Sequence, residues 1–448
     1  MPGLSVGCGI ALTKSRHRVI SEPRVIEARQ HGISPSDVNP GALKIVHTIQ
    51  AAGFSAELVG GCVRDLLLGQ RPKDFDVVTE AEPDTIQNLF RRARLIGRRF
   101  RLAHVRMGRE VVEVSTYRAL PNVGDDGYEV SEGDGRILRD NVFGDRDSDA
   151  RRRDFSVNAL YYDPVGGVLL DYVGGFEDLN AGILRMIGEP ARRFREDPVR
   201  LLRAVRFSSR LDLIIDTGTE AAMPDARLFL QQVPPPRLFD ESLKLLQNGY
   251  AESNFRLMHR YGFITELLPE LTQHYLAADV VSQTGLVMLA LRSTDDRVRM
   301  GKPLNAAFLY AVFFWRAVCD QASRFTEEGG APVQSLHRAI SVVLTDAQSR
   351  LTIPRRLTAV MFDIWDMQRH LERRRKNMVT RLLEHRRFRA AYDFYLLRVA
   401  SGSADQAIAD WWTDIQKVSG SNRVQMINDL AGGRGSRRRR KRRRRSVK

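Results

Sequence analysis

The sequence predicts an α+β fold, with mixed strands and helices to about residue 180 and helices thereafter. Three observations lead there. Short apolar strands alternate with helical segments up to about residue 120. From about residue 185 onward no convincing strand pattern is found, and "DPVRLLRAVRFSSRL", "LFDESLKLLQNGYAESNFRLMHRYG" and "RLTAVMFDIWDMQRHLERRR" all carry the helical period. The longest apolar run, "AAFLYAVFFW" from Ala306 to Trp315, is too short to span a bilayer.

The elements follow in order. Residues 1–38 read as polar and irregular, without the positive start of an export signal. "NPGALKIVHTIQAAG" is a helix that Asn39 can cap, Pro40 opens and Gly53 ends. "SAELVGG" is a short strand, Cys62 to Leu68 a helix stopped by Gly69, and "DFDVVT" a second strand. "PDTIQNLFRRA" is a helix, and "RLAHVRMGREVVEVSTYR" a hairpin turning at Gly108-Arg109. Residues 121–150, rich in Gly, Asp and Asn, read as a mobile loop region.

Charge is unevenly distributed. The chain of 448 residues carries a formal +16, but the stretch from Arg434 holds eleven Lys/Arg and no acid, which leaves +5 for everything else. Such a tail has almost nothing apolar to bury and cannot fold alone. Phosphate backbones are its expected target, with an anionic membrane surface left open. Three scattered cysteines, Cys8, Cys62 and Cys319, argue against a thiolate zinc site and for a reducing compartment, the cytoplasm.

The chemistry concentrates in "LVGGCVRDLLLGQRPKDFDVVTE". On a strand, Asp74 and Asp76 share a face while Phe75 and Val77 point into the core. Two carboxylates on one face repel each other and resist desolvation, so a cation is expected between them. Mg²⁺ suits such oxygens, with Mn²⁺ as a substitute, and a third carboxylate would allow two ions to be held. Glu113 in "VVEVST" and Asp154 in "RRRDFSVNAL" are both candidates for that third acid. Gly60-Gly61 before a helix leaves backbone N–H groups that attract phosphate.

These residues resemble the G-G-x-x-R-D…D-x-D head-domain signature of nucleotidyltransferases with a polymerase-β-like palm. The resemblance is closer to bacterial poly(A) polymerases and class II CCA-adding tRNA nucleotidyltransferases. It continues through "RRRDFSVNALYYDP", "DYVGGFEDL" and "EDPVRLLRAVRF", across residues 56 to 210. It implies a nucleotidyltransferase head over 39–180, a helical neck over 181–270, a helical RNA-binding domain over 271–433 and a disordered basic tail over 434–448. Asp74 and Asp76 would hold two catalytic Mg²⁺ ions. Gly60, Gly61 and Arg64 would face triphosphate, with Arg152, Arg153, Asp154, Asn158 and Arg203 near the nucleotide.

Asp197 and Arg200, three apart on one helix face, complement the donor and acceptor that adenine presents. Cytosine presents the same order, and the pair also fits a plain N-cap and surface ion pair, so it does not separate ATP from CTP. The Arg98-Arg99-Phe100 cluster and the arginine tail resemble the poly(A) polymerase version of the family. The reading is a template-independent enzyme adding AMP from ATP to RNA 3′ ends, a monomer, with RNA-degradation machinery or an RNA chaperone as further partners. The tail residues Arg437, Arg438, Arg439, Arg440, Lys441, Arg442, Arg443, Arg444 and Arg445 would bind RNA. CCA addition is the alternative, and a non-catalytic RNA-binding protein of the same fold is the second. The aromatics Phe388, Tyr392, Phe394 and Tyr395 recur at helical spacing and read mostly as core.

Overall fold

The structure is a computed structural model and describes residues 22–97, 101–119, 128–130, 137–140, 142–274 and 281–430. The chain divides into two compact units between Ala226 and Arg227, where the sequence reading placed boundaries at 180 and 270.

The first unit is built on an eight-stranded sheet in the order β1-β10-β9-β2-β3-β6-β5-β4. Its strands are β1 (Arg24–Glu27), β2 (Ala56–Val59), β3 (Asp76–Thr79), β4 (Ala93–Ile96), β5 (Leu102–Met107), β6 (Glu110–Thr116), β9 (Leu160–Asp163) and β10 (Val168–Asp171). Every neighbouring pair is antiparallel except β3 and β6, which run parallel with Asp76 opposite Glu113. The helix Pro40–Ala51 begins as its sequence requires: Asn39 Oδ1 accepts from the Gly41 and Ala42 amides at 2.7 and 3.2 Å. Its Ala42, Ile45, Val46 and Ile49 are buried, one stripe at helical spacing. The β5–β6 hairpin turns at Gly108, whose φ of 63° suits glycine.

Three expectations need correction. Residues 24–27 are not irregular: β1 pairs with β10 as an edge strand and buries Ile26 completely. The region 121–150 is not simply loop. Within it β7 (Tyr128–Val130) pairs with β8 (Ile137–Asp140), and Arg146–Arg152 is a helix capped by Asp145, whose Oδ1 accepts from the Ser148 amide at 2.8 Å. A strand pair also exists near residue 185, because Ile183–Leu184 pairs in parallel with Ile214–Ile215. Two residues per strand are too few for a periodic signal.

The motif "DYVGGFEDL" is structural. The buried Asp171 carboxylate accepts from the amides of Val173, Gly174, Gly175 and Phe176 at 2.9–3.0 Å, and so anchors the start of the helix Gly175–Asn180. Gly175 passes so close to Ser156 that a Cβ would lie 2.1 Å from its carbonyl oxygen.

The second unit is helical. "AAFLYAVFFW" opens the helix Ala306–Glu327 and buries Leu309, Tyr310, Phe313 and Phe314. Among the described residues no helix is long and apolar enough to cross a membrane. Trp365 and Trp412 are fully buried, and each indole N–H donates to a backbone carbonyl at 2.9 Å, of Ala311 and Leu371 respectively. Phe388, Tyr392, Phe394 and Tyr395 are core residues, as their spacing suggested.

Replacing Gly175 by Ala is expected to destabilise the protein by roughly 1–3 kcal/mol, since backbone must move to admit the methyl group. Urea unfolding checks this, and an unchanged midpoint contradicts the packing described.

Candidate active site

Asp76 heads β3, and the parallel register sets Glu113 of β6 directly beside it, with both side chains on one face of the sheet. Asp74 lies before the strand. The expectation of two aspartates on one strand, with Phe75 pointing into the core, is therefore corrected: regular pairing starts only at Asp76, Asp74 is exposed, and Phe75 is half-buried. The acids still act on each other. Burial, then the charge of Glu113 and that of Asp74, push the Asp76 carboxyl up to about 6, against the pull of the Arg153 guanidinium. His104 from β5 contacts Glu113 at 3.3 Å. Among the described residues no three His, Cys, Asp or Glu side chains close into a metal cage. A partly buried carboxylate beside two more acids fits a hard divalent cation that draws its remaining ligands from water and phosphate.

The glycine pair meets this acid cluster through an arginine. Gly60 has φ 79° and ψ −131°, a conformation for glycine, and a Cβ there would sit 3.4 Å from Arg153 Nη1. Arg153 is gripped by Asp149, whose Oδ2 accepts from its Nε at 3.0 Å and its Nη2 at 2.9 Å. The same Asp149 oxygen accepts from Tyr161 Oη at 2.7 Å, and Oδ1 from the Arg118 amide at 3.2 Å. Burial opposes the charge of Arg153, but Tyr161 and Asp149 overcome it and hold the guanidinium protonated.

Around Arg153 the positive charge accumulates. Burial, then Arg118, Arg153, Arg193 and Arg200, bring Arg152 down to about 9. Burial and Arg200 likewise bring Arg193 down to about 10, although Glu196 contacts it at 2.9 Å. Arg193 Nη2 donates to the carbonyls of Arg152 and Arg153, both at 2.5 Å, which fixes the two arginines in place. Like charges crowded at this density call for a polyanion, and a triphosphate beside a divalent cation meets that need.

Arg64, Asn158, Asp154 and Arg203 are joined in one partly buried strut. Arg210 pairs with Asp65 at 3.0 Å, and Asp65 takes Arg64 Nε at 2.9 Å. Arg64 Nη1 donates to Asn158 Oδ1 at 2.5 Å, Asn158 Nδ2 to Asp154 Oδ1 at 3.1 Å, and Arg203 Nε to Asp154 Oδ2 at 2.6 Å. The guanidinium groups of Arg64 and Arg203 both lie over the Phe207 ring, 5.2 Å from its centroid. Arg64, 2% exposed, is thus held among protein partners. At Asp154 burial would raise the pKa, but Arg203 and Asn158 hold the carboxyl down at about 2.

The Asp197–Arg200 expectation is also corrected. Asp197 is not on a helix face. It is the extended residue between the helices Pro190–Glu196 and Val199–Leu211, with φ −148°. Arg200 bonds instead to the Arg193 carbonyl at 2.8 Å and Glu196 at 3.3 Å. Cys62 beside the glycines is buried, and burial pushes its thiol up to about 12, so it is packing and not a nucleophile. The Arg98-Arg99-Phe100 cluster and the tail arginines Arg437–Arg445 lie outside the described residues.

Sequence reasoning missed Asp149, Arg118, Arg193 and Asp65. Asp149 had a signal, since it stands one helical turn before Arg153. Arg193 had none, because its partners are carbonyls some forty positions away.

Three family descriptions match the chain: Poly A polymerase head domain over residues 56–185, Probable RNA and SrmB-binding site of polymerase A over 212–275, and Polymerase A arginine-rich C-terminus over 328–446. Poly(A) polymerase I of Haemophilus influenzae is 42% identical over 412 residues, 91% of this chain and 91% of that protein. The same-named protein of Escherichia coli O6:H1 is 41% identical over 92% of this chain and 90% of its own. A CCA-adding enzyme of Lactobacillus helveticus is 34% identical, but over 49% of this chain and 53% of that protein. Among solved structures, the Thermotoga maritima CCA-adding enzyme complexed with tRNA shares the fold, with a TM-score of 0.60 at 18% identity over 91% of this chain and 99% of that one.

The Asp154 network carries a pH signature. A carboxylate held below its unfolded pKa stabilises the fold fully above about pH 4 and loses that contribution as pH falls through about 2. Asp154→Asn is expected to cost on the order of 2–3 kcal/mol near neutral pH. In urea titrations the gap between variant and parent closes as pH drops from 4 towards 2. A gap that does not change with pH contradicts the charged pairing.

Proposed function

The chain belongs to the poly(A) polymerase family of nucleotidyltransferases, and from that membership we propose that it adds AMP from ATP to RNA 3′ ends without a template. The observation that carries the reading is the Asp76–Glu113 pair, with Asp74 near it, placed against the arginine cluster through Arg153.

In this reading Asp74, Asp76 and Glu113 hold Mg²⁺. When bound there, the ions would lower the pKa of the primer 3′-hydroxyl and neutralise charge on the leaving pyrophosphate. The protein's own groups position. Arg152 and Arg153, braced by Arg193 and Asp149, orient the triphosphate, and the bare backbone at Gly60-Gly61 lets it approach. The strut from Arg210 through Arg64 and Asp154 to Arg203 ties the helix Gly61–Leu67 to the helix Val199–Leu211 and so keeps phosphate-binding and base-facing elements in register. Asp197 reads the base from its junction, while Arg200 is held by the Arg193 carbonyl and Glu196. The 3′-oxygen bonds to the α-phosphorus as its proton passes to solvent water, and the bond to pyrophosphate breaks. Positioning and electrostatics supply most of the acceleration, as in other phosphoryl transfers. The tail residues Arg437–Arg445 hold RNA non-specifically through phosphate.

CCA addition is the weaker alternative, because similarity to the CCA-adding enzyme of Lactobacillus helveticus covers about half of the chain. A non-catalytic RNA binder gains nothing from acids turned towards phosphate.

Incubating a generic RNA with each nucleoside triphosphate and Mg²⁺ is expected to give long tails with ATP alone. A stop after C-C-A on tRNA contradicts this and favours the alternative. Asp76→Asn is expected to lower AMP incorporation by about 10²–10³-fold, the equivalent of several kcal/mol of lost charge stabilisation. Full activity of that variant contradicts the metal site. Deleting residues 437–448 should weaken RNA binding and flatten its dependence on salt, read by titration at two ionic strengths. An unchanged slope assigns the tail another role.

A further inference from the structure

The parallel register of β3 with β6 and the antiparallel register of β6 with β5 set Asp76, Glu113 and His104 in one cross-strand row. Directly opposed residues share a face of a sheet, so all three side chains project from the same side. We propose that His104 is a positioning residue for the divalent cation: its imidazole holds the Glu113 carboxylate in the orientation that binds metal, without itself ligating the ion. The inference rests on the polymerase reading above and assigns a role to a side chain which that reading leaves unused.

Glu113 is the acid most in need of such a partner. Asp76 is short, half-buried and fixed at the head of β3. Glu113 is longer by a methylene, and its side chain is 54% exposed. A glutamate so placed samples many rotamers and loses that freedom when it ligates. His104 Nε2 lies 3.3 Å from Glu113 Oε1, and among the described residues this is the only side-chain hydrogen bond that either residue makes. A carboxylate only accepts, so Nε2 carries the proton and donates. The contact occupies Oε1 and leaves Oε2 for a cation.

The ring stands on firm backbone. β5 is paired along both edges, to β4 through Arg94 opposite His104 and to β6 through Glu113 opposite His104. Its flanking residues Ala103 and Val105 point to the other face and are fully buried. A ring carried by an interior strand fixes a neighbouring carboxylate more closely than one carried by a loop. The residue type also fits. Lysine or arginine here would set a permanent charge against Glu113 and compete with the metal for it. Imidazole can donate a hydrogen bond in its neutral form, and donors behind a ligating group orient it and raise metal affinity.

The test titrates Mn²⁺ into the full chain and follows the EPR signal of the free ion. His104→Leu removes the donor and is expected to weaken Mn²⁺ binding about tenfold, as loss of a group behind a metal ligand commonly does. His104→Gln sets an amide N–H close to where Nε2 stood and should bring binding back to within about threefold of the parent, whereas His104→Asn, too short to reach, should behave like His104→Leu. In a Glu113→Gln background, His104→Leu should cause no further loss. Tailing gives a second readout: the Mg²⁺ concentration at half-maximal rate should rise about tenfold for His104→Leu, while KM for ATP at saturating Mg²⁺ changes by less than about twofold. Parent-like Mn²⁺ binding by His104→Leu overturns the inference. So does an equal loss in the leucine and glutamine variants, or a loss that adds in full to that of Glu113→Gln. Urea midpoints without metal should match the parent, because the contact is exposed; midpoints that fall in step with Mn²⁺ affinity make the role structural and overturn it too. Failure of the His104 variants alone leaves the polymerase reading intact, whereas Mn²⁺ binding unchanged by Asp76→Asn removes the metal site and this inference with it.

Discussion

The structure turns on one unfavourable contact. The parallel pairing of β3 with β6 forces Asp76 and Glu113 side by side, with Asp74 close enough to add its charge. In isolation, neighbouring carboxylates in a partly buried setting cost free energy, and the Asp76 carboxyl answers by holding its proton up to about pH 6. Only cations relieve this. Arg153 offers part of the relief, and a divalent ion would supply the rest.

A second unfavourable accumulation stands next to the first. Arg118, Arg152, Arg153, Arg193 and Arg200 crowd one another until the guanidinium of Arg152 falls to about 9. Excess acid and excess base adjoin at Arg153 yet do not simply cancel, because each is held apart by its own scaffold. Asp149 restrains Arg153, and the Arg193 guanidinium binds the carbonyls of Arg152 and Arg153. The crowding of each sign suits a metal–triphosphate pair, a negative pocket for the ion and a positive one for its phosphates.

Much of this was legible beforehand, and the limits have physical reasons. Asn39, Gly53, Gly69 and the Gly108 turn act locally, so the caps and turns of the first unit could be read residue by residue. The Asp74–Asp76 pair was visible because like charges so close need explaining. What sequence could not show was partnership across the chain. Arg64 and Asp154 carry the charges that phosphate chemistry wants, and composition does not reveal that Asn158 and Arg203 already engage them. Strand register was equally hidden: sequence did not show that the β3–β6 pairing sets Glu113 beside Asp76 while Asp154 pairs with Arg203. Phe75 followed strand alternation on paper, but the strand began one residue later.

The most direct measurement is anomalous diffraction from crystals grown with Mn²⁺ and a non-hydrolysable ATP analogue. The account predicts manganese within coordination distance of an Asp76 oxygen, about 2.1–2.2 Å, shared with Asp74 or Glu113, and triphosphate oxygens against Arg152 and Arg153. Manganese bound elsewhere, with the analogue held away from both arginines, would contradict it.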